Sequence, residues 1–314
     1  MKNMSFVNKI KSLFETNVMF RQIIANNKDI QFITDAQTAE LQGVLLKMMK
    51  DIHFVCEKYS LTYFLGGGSC LGAVRHKGFI PWDDDMDVIM PRNDYDMLPE
   101  LLNKEFPDKY FYEEIHINKN YDANFMKIRL KGSLCREIFE SDPQNAGIFI
   151  DINPLENVYG NSILRKIHGY TCELLLLICS CVRLKGNAPK IKPYINDKKQ
   201  LGVIKRKLLI AKFLSFFSLR KWLLITEKRL SSCKDKNSVF VSIPTGRKHY
   251  FGELQPRNTF AKAVLTEFED TKFYIMNDFD SYLTGLFGKD YMTLPPENER
   301  ERHAVTALKF PDNK

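Results

Sequence analysis

The chain has 314 residues, of which 44% are hydrophobic, enough for one large or two small cores and too much for a mostly disordered protein. The formal net charge is +8, but the excess is local. Residues 183–212 carry ten Lys and Arg against the single acid Asp197, which leaves the rest close to neutral. One anionic partner met by one segment is the simplest reading, and a protein that coats nucleic acid is excluded. The seven cysteines are odd in number, form no CxxC pair and sit mostly in apolar patterns, which predicts a reduced, cytoplasmic chain. The first twenty residues show no continuous apolar stretch and no small-residue cleavage site, so no secretory leader is expected.

Residues 1–33 are weakly patterned and read as an appended arm. Thr34 and Gln37 fit a capping box, and Leu41, Val44, Leu45, Met48, Met49, Ile52, Val55 and Cys56 then recur at helical spacing to about residue 59. Residues 61–65 read as a buried strand running into Gly66-Gly67-Gly68-Ser69, residues 69–75 as a short helix, and 86–90 as a strand ended by Pro91. A helix is expected over 94–103, and strands over 125–130 and 148–153, with Pro154 closing the second. From 162 to about 233 the texture is helical, apolar and basic. Its nearly all-apolar run, 174–182, is nine residues long, short of the ~20 of a membrane span. Residues 208–225 suit an amphipathic helix pair. After residue 239 mixed α/β character returns, with a strand near 264–268, a helix near 278–287 and a charged, extended tail over 294–303. The expected organisation is an arm (1–33), a catalytic core (34–160), a helical basic insertion (161–236) and a part completing the core (237–314).

The chemistry concentrates in Gly67-Gly68-Ser69 and in Asp83-Asp84-Asp85-Met86-Asp87-Val88. Residues two apart in a strand share a face, so Asp85 and Asp87 aim at one point while Met86 and Val88 enter the core. Two carboxylates at one point call for a cation, and a hard divalent ion held together with substrate phosphates is the usual occupant: magnesium, or manganese. A solvated acidic turn is the plainer alternative, and Asp83 and Asp84 are assigned to turn formation. Asp151, in an otherwise apolar strand, is the candidate third carboxylate, either completing the metal shell or taking a proton from an attacking hydroxyl. Gly67, Gly68 and Ser69 would offer N–H groups and a hydroxyl to an anion at a helix start. Arg75, His76 and Lys77 either neutralise a diphosphate or form a solvated helix end. Lys127 and Arg129 share one strand face and either contact phosphate or line solvent. His303, with Arg300 and Arg302, forms a basic cluster for phosphate or acceptor, or a solvated tail. His53, His116, His168 and His249 lack a partner pattern and read as structural. The basic 183–212 segment fits an anionic lipid surface with Phe213, Phe216, Phe217 and Trp222 as anchors, or a soluble helical layer that displays lysines.

The stretch from Tyr63 through Ser69, Leu71 through Asp87, Met90-Pro91-Arg92-Asn93-Asp94-Tyr95, Gly147 through Glu156, Tyr282-Leu283-Thr284 and Leu294-Pro295-Pro296-Glu297 resembles the LicD/fukutin-related group of phosphocholine and polyol-phosphate transferases. The resemblance covers about 36–160 and 239–303. It implies an α+β fold with a nucleotidyltransferase-like small mixed sheet and flanking helices, to which the helical basic region is an addition. It also implies a CDP-activated alcohol donor, typically CDP-choline, and transfer to a sugar hydroxyl of a surface glycan (lipopolysaccharide, teichoic acid or capsule) with release of CMP. The resemblance says little about the basic 161–236 region; its charge alone suggests that it holds a lipid-linked or growing polysaccharide acceptor near the inner membrane face. Under the resemblance the metal pair falls on Asp85 and Asp87, the third acid on Asp151 and the turn on Gly67, Gly68 and Ser69. This chain departs at Glu156, where Asp is usual, and at Arg302-His303, where relatives often have paired histidines. The competing readings are a nucleotidyltransferase that consumes a nucleoside triphosphate, and a non-catalytic glycan-binding module.

Overall fold

A computed structural model describes residues 31–137, 143–195, 197–297, 300 and 304–311. Strand β1 (Gln31–Phe32) precedes helix α1 (Asp35–Tyr59). Thr34 caps α1: its hydroxyl accepts from the Gln37 N–H, and the Gln37 amide oxygen accepts from the Thr34 N–H. The buried stripe of α1 runs through Leu41, Leu45, Met48, Met49, Ile52 and Val55.

Next come β2 (Phe64–Leu65), α2 (Gly67–His76), β3 (Asp87–Pro91) and α3 (Arg92–Glu105). They are followed by β4 (Tyr110–Glu113), β5 (Met126–Leu130), β6 (Leu134–Glu137) and β7 (Phe149–Asn157). The central sheet has the order β2-β3-β7-β5-β4, with β3 and β7 parallel and the other pairs antiparallel. The fold is therefore α+β with a mixed sheet. Helices α1 and α3 pack on each other and on β7.

Strand β7 continues through Pro154, where a stop was expected. The Asp151 N–H points toward β3, donating to the Met86 carbonyl at 3.0 Å. Alternation turns the Pro154 nitrogen to the other edge. On that edge β5 pairs only as far as Ile152, and the next partner begins at Glu156. The missing N–H therefore falls in a gap between two ladders.

Helices α4 (Ser162–Ile191), α5 (Lys198–Leu214) and α6 (Leu219–Leu230) form a layer with its own small cores. Asn161, Asp197 and Ser218 cap them. Leu177, Cys181, Val203 and Ala211 pack between α4 and α5, while Ile178, Cys179, Trp222 and Leu223 pack with Ile115 and Tyr121. By length and composition Ser162–Pro189 is long and apolar enough to cross a membrane, and 44% of its most apolar window is buried inside the fold. The nine-residue run visible in the sequence understated this helix, because Glu173 and Arg183 bound the run without ending the helix. Two expected lipid anchors turn inward. Trp222 is buried, its indole N–H donates to the Leu214 carbonyl at 2.9 Å, and Phe217 packs beside it.

The chain then returns through β8 (Phe240–Ser242), the single turn α7 (His249–Gly252), β9 (Leu254–Pro256), the hairpin β10 (Ala263–Phe268) and β11 (Thr271–Met276), α8 (Phe279–Phe287) and β12 (Ala304–Lys309). Strand β8 pairs the end of β7, and β12 lies between β1 and β6. Phe268, Phe273, Ile275, Met276, Tyr282 and Leu283 enter the same core as α1 and the central sheet.

Candidate active site

The site forms where α2 starts and β3 and β7 run side by side. Asp87 opens β3, and Asp151 is its register partner on β7, so the two carboxyl groups leave adjacent strands at one level, about 5 Å apart at the backbone. Asp85 lies in the extended segment before β3. Met86 and Val88 are fully buried while Asp85 and Asp87 are half-buried, as alternation requires.

The glycine-serine turn is clamped onto Asp87. The Gly66 N–H donates to the Asp87 carbonyl, and the Asp87 N–H donates to Ser69 Oγ, each at 2.9 Å. Gly67 has φ +43, and a Cβ there would stand 2.6 Å from Asp87 Oδ2. A Cβ on Gly68 would stand 2.7 Å from Asp83 Oδ2. Only glycine permits both the left-handed turn and this approach of carboxylates to a helix start. The Gly67 N–H is taken by Tyr282 Oη of α8 at 3.0 Å, so the helix start offers an anion the N–H groups of Gly68 and Ser69.

On the other side of Asp151 stands Lys127, its register partner on β5. The buried Lys127 ammonium donates to Glu137 Oε2 at 2.8 Å, lies 3.6 Å from Asp151 Oδ1 and sits 3.5 Å from the centre of the Phe149 ring. Asp151 Oδ1 is buried and accepts no hydrogen bond. Burial pushes the Asp151 carboxyl up to about 6; Lys127 opposes this, while Glu137 and Asp85 add to it. That influence also puts Asp85 close by.

These residues suit a divalent cation. An orphaned buried carboxylate oxygen, a partner acid in register and a third acid nearby make a hard, oxygen-only donor set. Among the described residues no three His, Cys, Asp or Glu side chains close into a complete metal cage. Magnesium, which keeps waters and takes one or two carboxylates plus substrate phosphates, does not require one.

The remaining candidates separate. Arg129 is buried and faces inward: it donates to Glu113 Oε2 at 2.6 Å and to the Gly147 carbonyl at 2.9 Å. Neither solvent nor a ligand reaches it, and its geometry is that of a core ion pair. Arg75 lies toward the far end of α2 and donates to the carbonyls of Tyr291 and Thr293 and to His76 Nε2. His76 in turn lies edge-on to Trp82. Lys77 caps the C-terminus of α2 and pairs with Glu267 at 3.0 Å, roughly 15 Å along the helix from the glycines. Arg300 lies over the Trp82 ring at 4.3 Å, and His303 falls outside the described residues. His168 is buried among Tyr250, Ser232 and the Arg229 carbonyl.

Sequence reasoning did not single out Glu137, which anchors Lys127, or the hydrogen bond from Thr245 Oγ1 to Asn153 Oδ1 at 2.8 Å that brings the loop after β8 to the middle of the site strand, two residues past Asp151. Neither has a local signal, because each pair joins separate segments, 10 residues apart for Lys127 and Glu137 and 92 for Asn153 and Thr245.

Residues 60–157 match the family described as LicD/FKTN/FKRP, nucleotidyltransferase domain. The chain carries a LicD-family domain. It is 29% identical over 273 residues to the lipopolysaccharide cholinephosphotransferase LicD of Haemophilus influenzae, covering 85% of this chain and 95% of that protein. Over 58 residues it is 41% and 44% identical to uncharacterized proteins of Rickettsia prowazekii and Rickettsia typhi, covering 18% of this chain and 22% and 19% of theirs. The LicD match spans the turn, β3, β5 and β7, and so includes Asp85, Asp87, Lys127 and Asp151.

Proposed function

We propose that this LicD-type phosphotransferase moves a phospho-alcohol, phosphocholine first among them, from a CDP-activated donor to a sugar hydroxyl of a surface glycan such as lipopolysaccharide, releasing CMP. The observation that carries the reading is the register of Asp87 against Asp151, with the Gly67-Gly68-Ser69 turn closed onto Asp87. In this reading Asp85 and Asp87 hold magnesium, which when bound supplies the charge that neutralises a diphosphate. The Gly68 and Ser69 N–H groups take a donor phosphate oxygen at the start of α2. The acceptor hydroxyl oxygen attacks the phosphorus bearing the alcohol, a new P–O bond forms, and the bridging P–O bond breaks with the electron pair leaving on CMP. Asp151 orients that hydroxyl and takes its proton. With its pKa near 6 it is ionised at neutral pH yet basic enough to accept. Lys127 keeps Asp151 ionised and in place.

The test is CMP release from a panel of CDP-alcohols with a deacylated glycan acceptor and magnesium. We expect release that needs Asp87 and Asp151, with Asp87→Asn and Asp151→Asn each at least about a hundredfold slower. Pyrophosphate release from a nucleoside triphosphate, with no CMP from any CDP-alcohol, would replace this reading with nucleotidyl transfer.

A further inference from the structure

Beside the face that packs on α6, helix α4 carries an apolar seam with alternating spacings of four and three residues from Ile163 to Ala188. Its second half, Leu177, Cys181, Leu184 and Ala188, is buried, and α5 covers it through Val203 and Ala211. Its first half, Ile163, Ile167, Tyr170 and Leu174, runs past the end of α5 and lies bare, 53–67% exposed. Phe213 and Phe216, at the end of α5, are 71% and 67% exposed. The four α4 residues span about three turns of a helix seam that α5 does not cover, although Tyr170 packs beside Phe251 at 4.9 Å, and two outward phenylalanines stand next to it.

The charge around the seam identifies the occupant. Residues 162–221 contain fourteen Lys and Arg against two acids, Glu173 and Asp197. The exposed face of α5 interleaves the two kinds of group: Lys205, Arg206 and Lys212 alternate with Leu209 and Phe213 at helical spacing, and Phe216 follows in the turn just past the helix. A second copy of the chain would bring this cationic rim against itself. An anionic lipid surface satisfies both halves at once, with apolar side chains entering the acyl boundary and ammonium groups at the headgroups. The buried second half of α4 makes this a helix that lies on a bilayer while remaining part of the protein interior. We propose that the chain docks peripherally on anionic lipid through the bare half of the α4 seam and the C-terminal end of α5. The basic segment thus supplies the attraction, while the apolar contact comes from residues 163–174 together with Phe213 and Phe216. The inference does not depend on the proposed reaction.

The experiment is flotation of the full chain with vesicles of phosphatidylcholine containing about one-third phosphatidylglycerol, against phosphatidylcholine alone. We expect flotation only with the anionic vesicles, weakened as salt rises from about 0.1 M to about 1 M. Phe213→Ser with Phe216→Ser, and separately Ile167→Ser with Leu174→Ser, should each lower the bound fraction about tenfold or more. Because these side chains are exposed, both variants should keep the parent melting temperature. No flotation on anionic vesicles, or flotation that both variants retain, overturns the proposal. So does a light-scattering mass of two chains that the seam variants return to one, which would assign the face to a second copy.

Discussion

Gly67→Ala tests whether the glycine turn exists to let Asp87 close on it. The added Cβ would stand 2.6 Å from Asp87 Oδ2, against 3.4 Å for the shortest ordinary contact, so the carboxylate must retreat by about 0.8 Å. The residue must also hold φ +43, which costs a side-chain-bearing residue about 1–2 kcal/mol. A displacement near 1 Å at a reacting centre costs about a hundredfold in rate. The expected variant therefore melts about 2–4 °C lower and releases CMP about a hundredfold more slowly. Gly132→Ala separates the two effects. Gly132 has φ +78 but nothing within 4 Å of its added Cβ, so it should lose comparable stability and keep its turnover. Measuring melting temperature and initial CMP release on both proteins decides the matter. A Gly67→Ala enzyme within about threefold of wild type would refute the positioning argument, as would equal rate losses in the two variants.

Asp151→Asn should gain stability and lose activity. Because burial raises the folded carboxyl from 3.8 to about 6, the fold binds a proton that the unfolded chain releases. Stability therefore falls as pH rises through that window, by at most about 3 kcal/mol. In metal-free protein the Asn variant should melt higher than wild type at about pH 8 and alike near pH 4, and no gain at pH 8 would sink the argument. Lys127→Met removes the cation that lowers the Asp151 pKa, so the acid limb of the kcat profile should move above 6; an unmoved limb would separate Lys127 from proton transfer. Arg129→Ala leaves Glu113 buried without its cation, and a loss of about 3–5 kcal/mol in urea unfolding is expected; a variant that keeps its stability but loses donor affinity would return Arg129 to the binding site. Lys77→Ala should leave kcat/KM within about twofold, because its partner is Glu267 at the far end of α2.

Local chemistry was readable before any tertiary contact was known. The Thr34–Gln37 box, the α1 stripe and the alternation of Asp85 and Asp87 with Met86 and Val88 depend only on residues within a turn or two of one another, and short-range periodicity encodes them. The strands β1, β4, β6, β8, β9, β11 and β12 lie outside the expected strands, because most are short or lie in charged stretches; β12, for one, is held by partners far away in the chain, residues 31–32 and 134–137. The same limit explains Pro154, a breaker by composition that is tolerated because its nitrogen faces a gap between ladders.

The candidate site divides the same way. Its residue types, a glycine turn followed by paired acids and then a lone strand acid, stand in the sequence in order. That Asp151 faces Asp87, and that Lys127 faces Asp151, depends on strand register, which is set across segments 64 and 24 residues apart. Arg129 and Lys77 carry the same charge as Lys127 and looked equally eligible. Only packing decided that one enters a core ion pair, one caps a remote helix end and one stands beside the reactive carboxylate. Likewise, composition marked residues 183–212 as basic, but which apolar side chains stay in water was decided by how far α5 extends along α4. Pattern within a segment follows from backbone geometry, whereas the pairing of one segment with another follows from where the whole chain can bury its apolar surface.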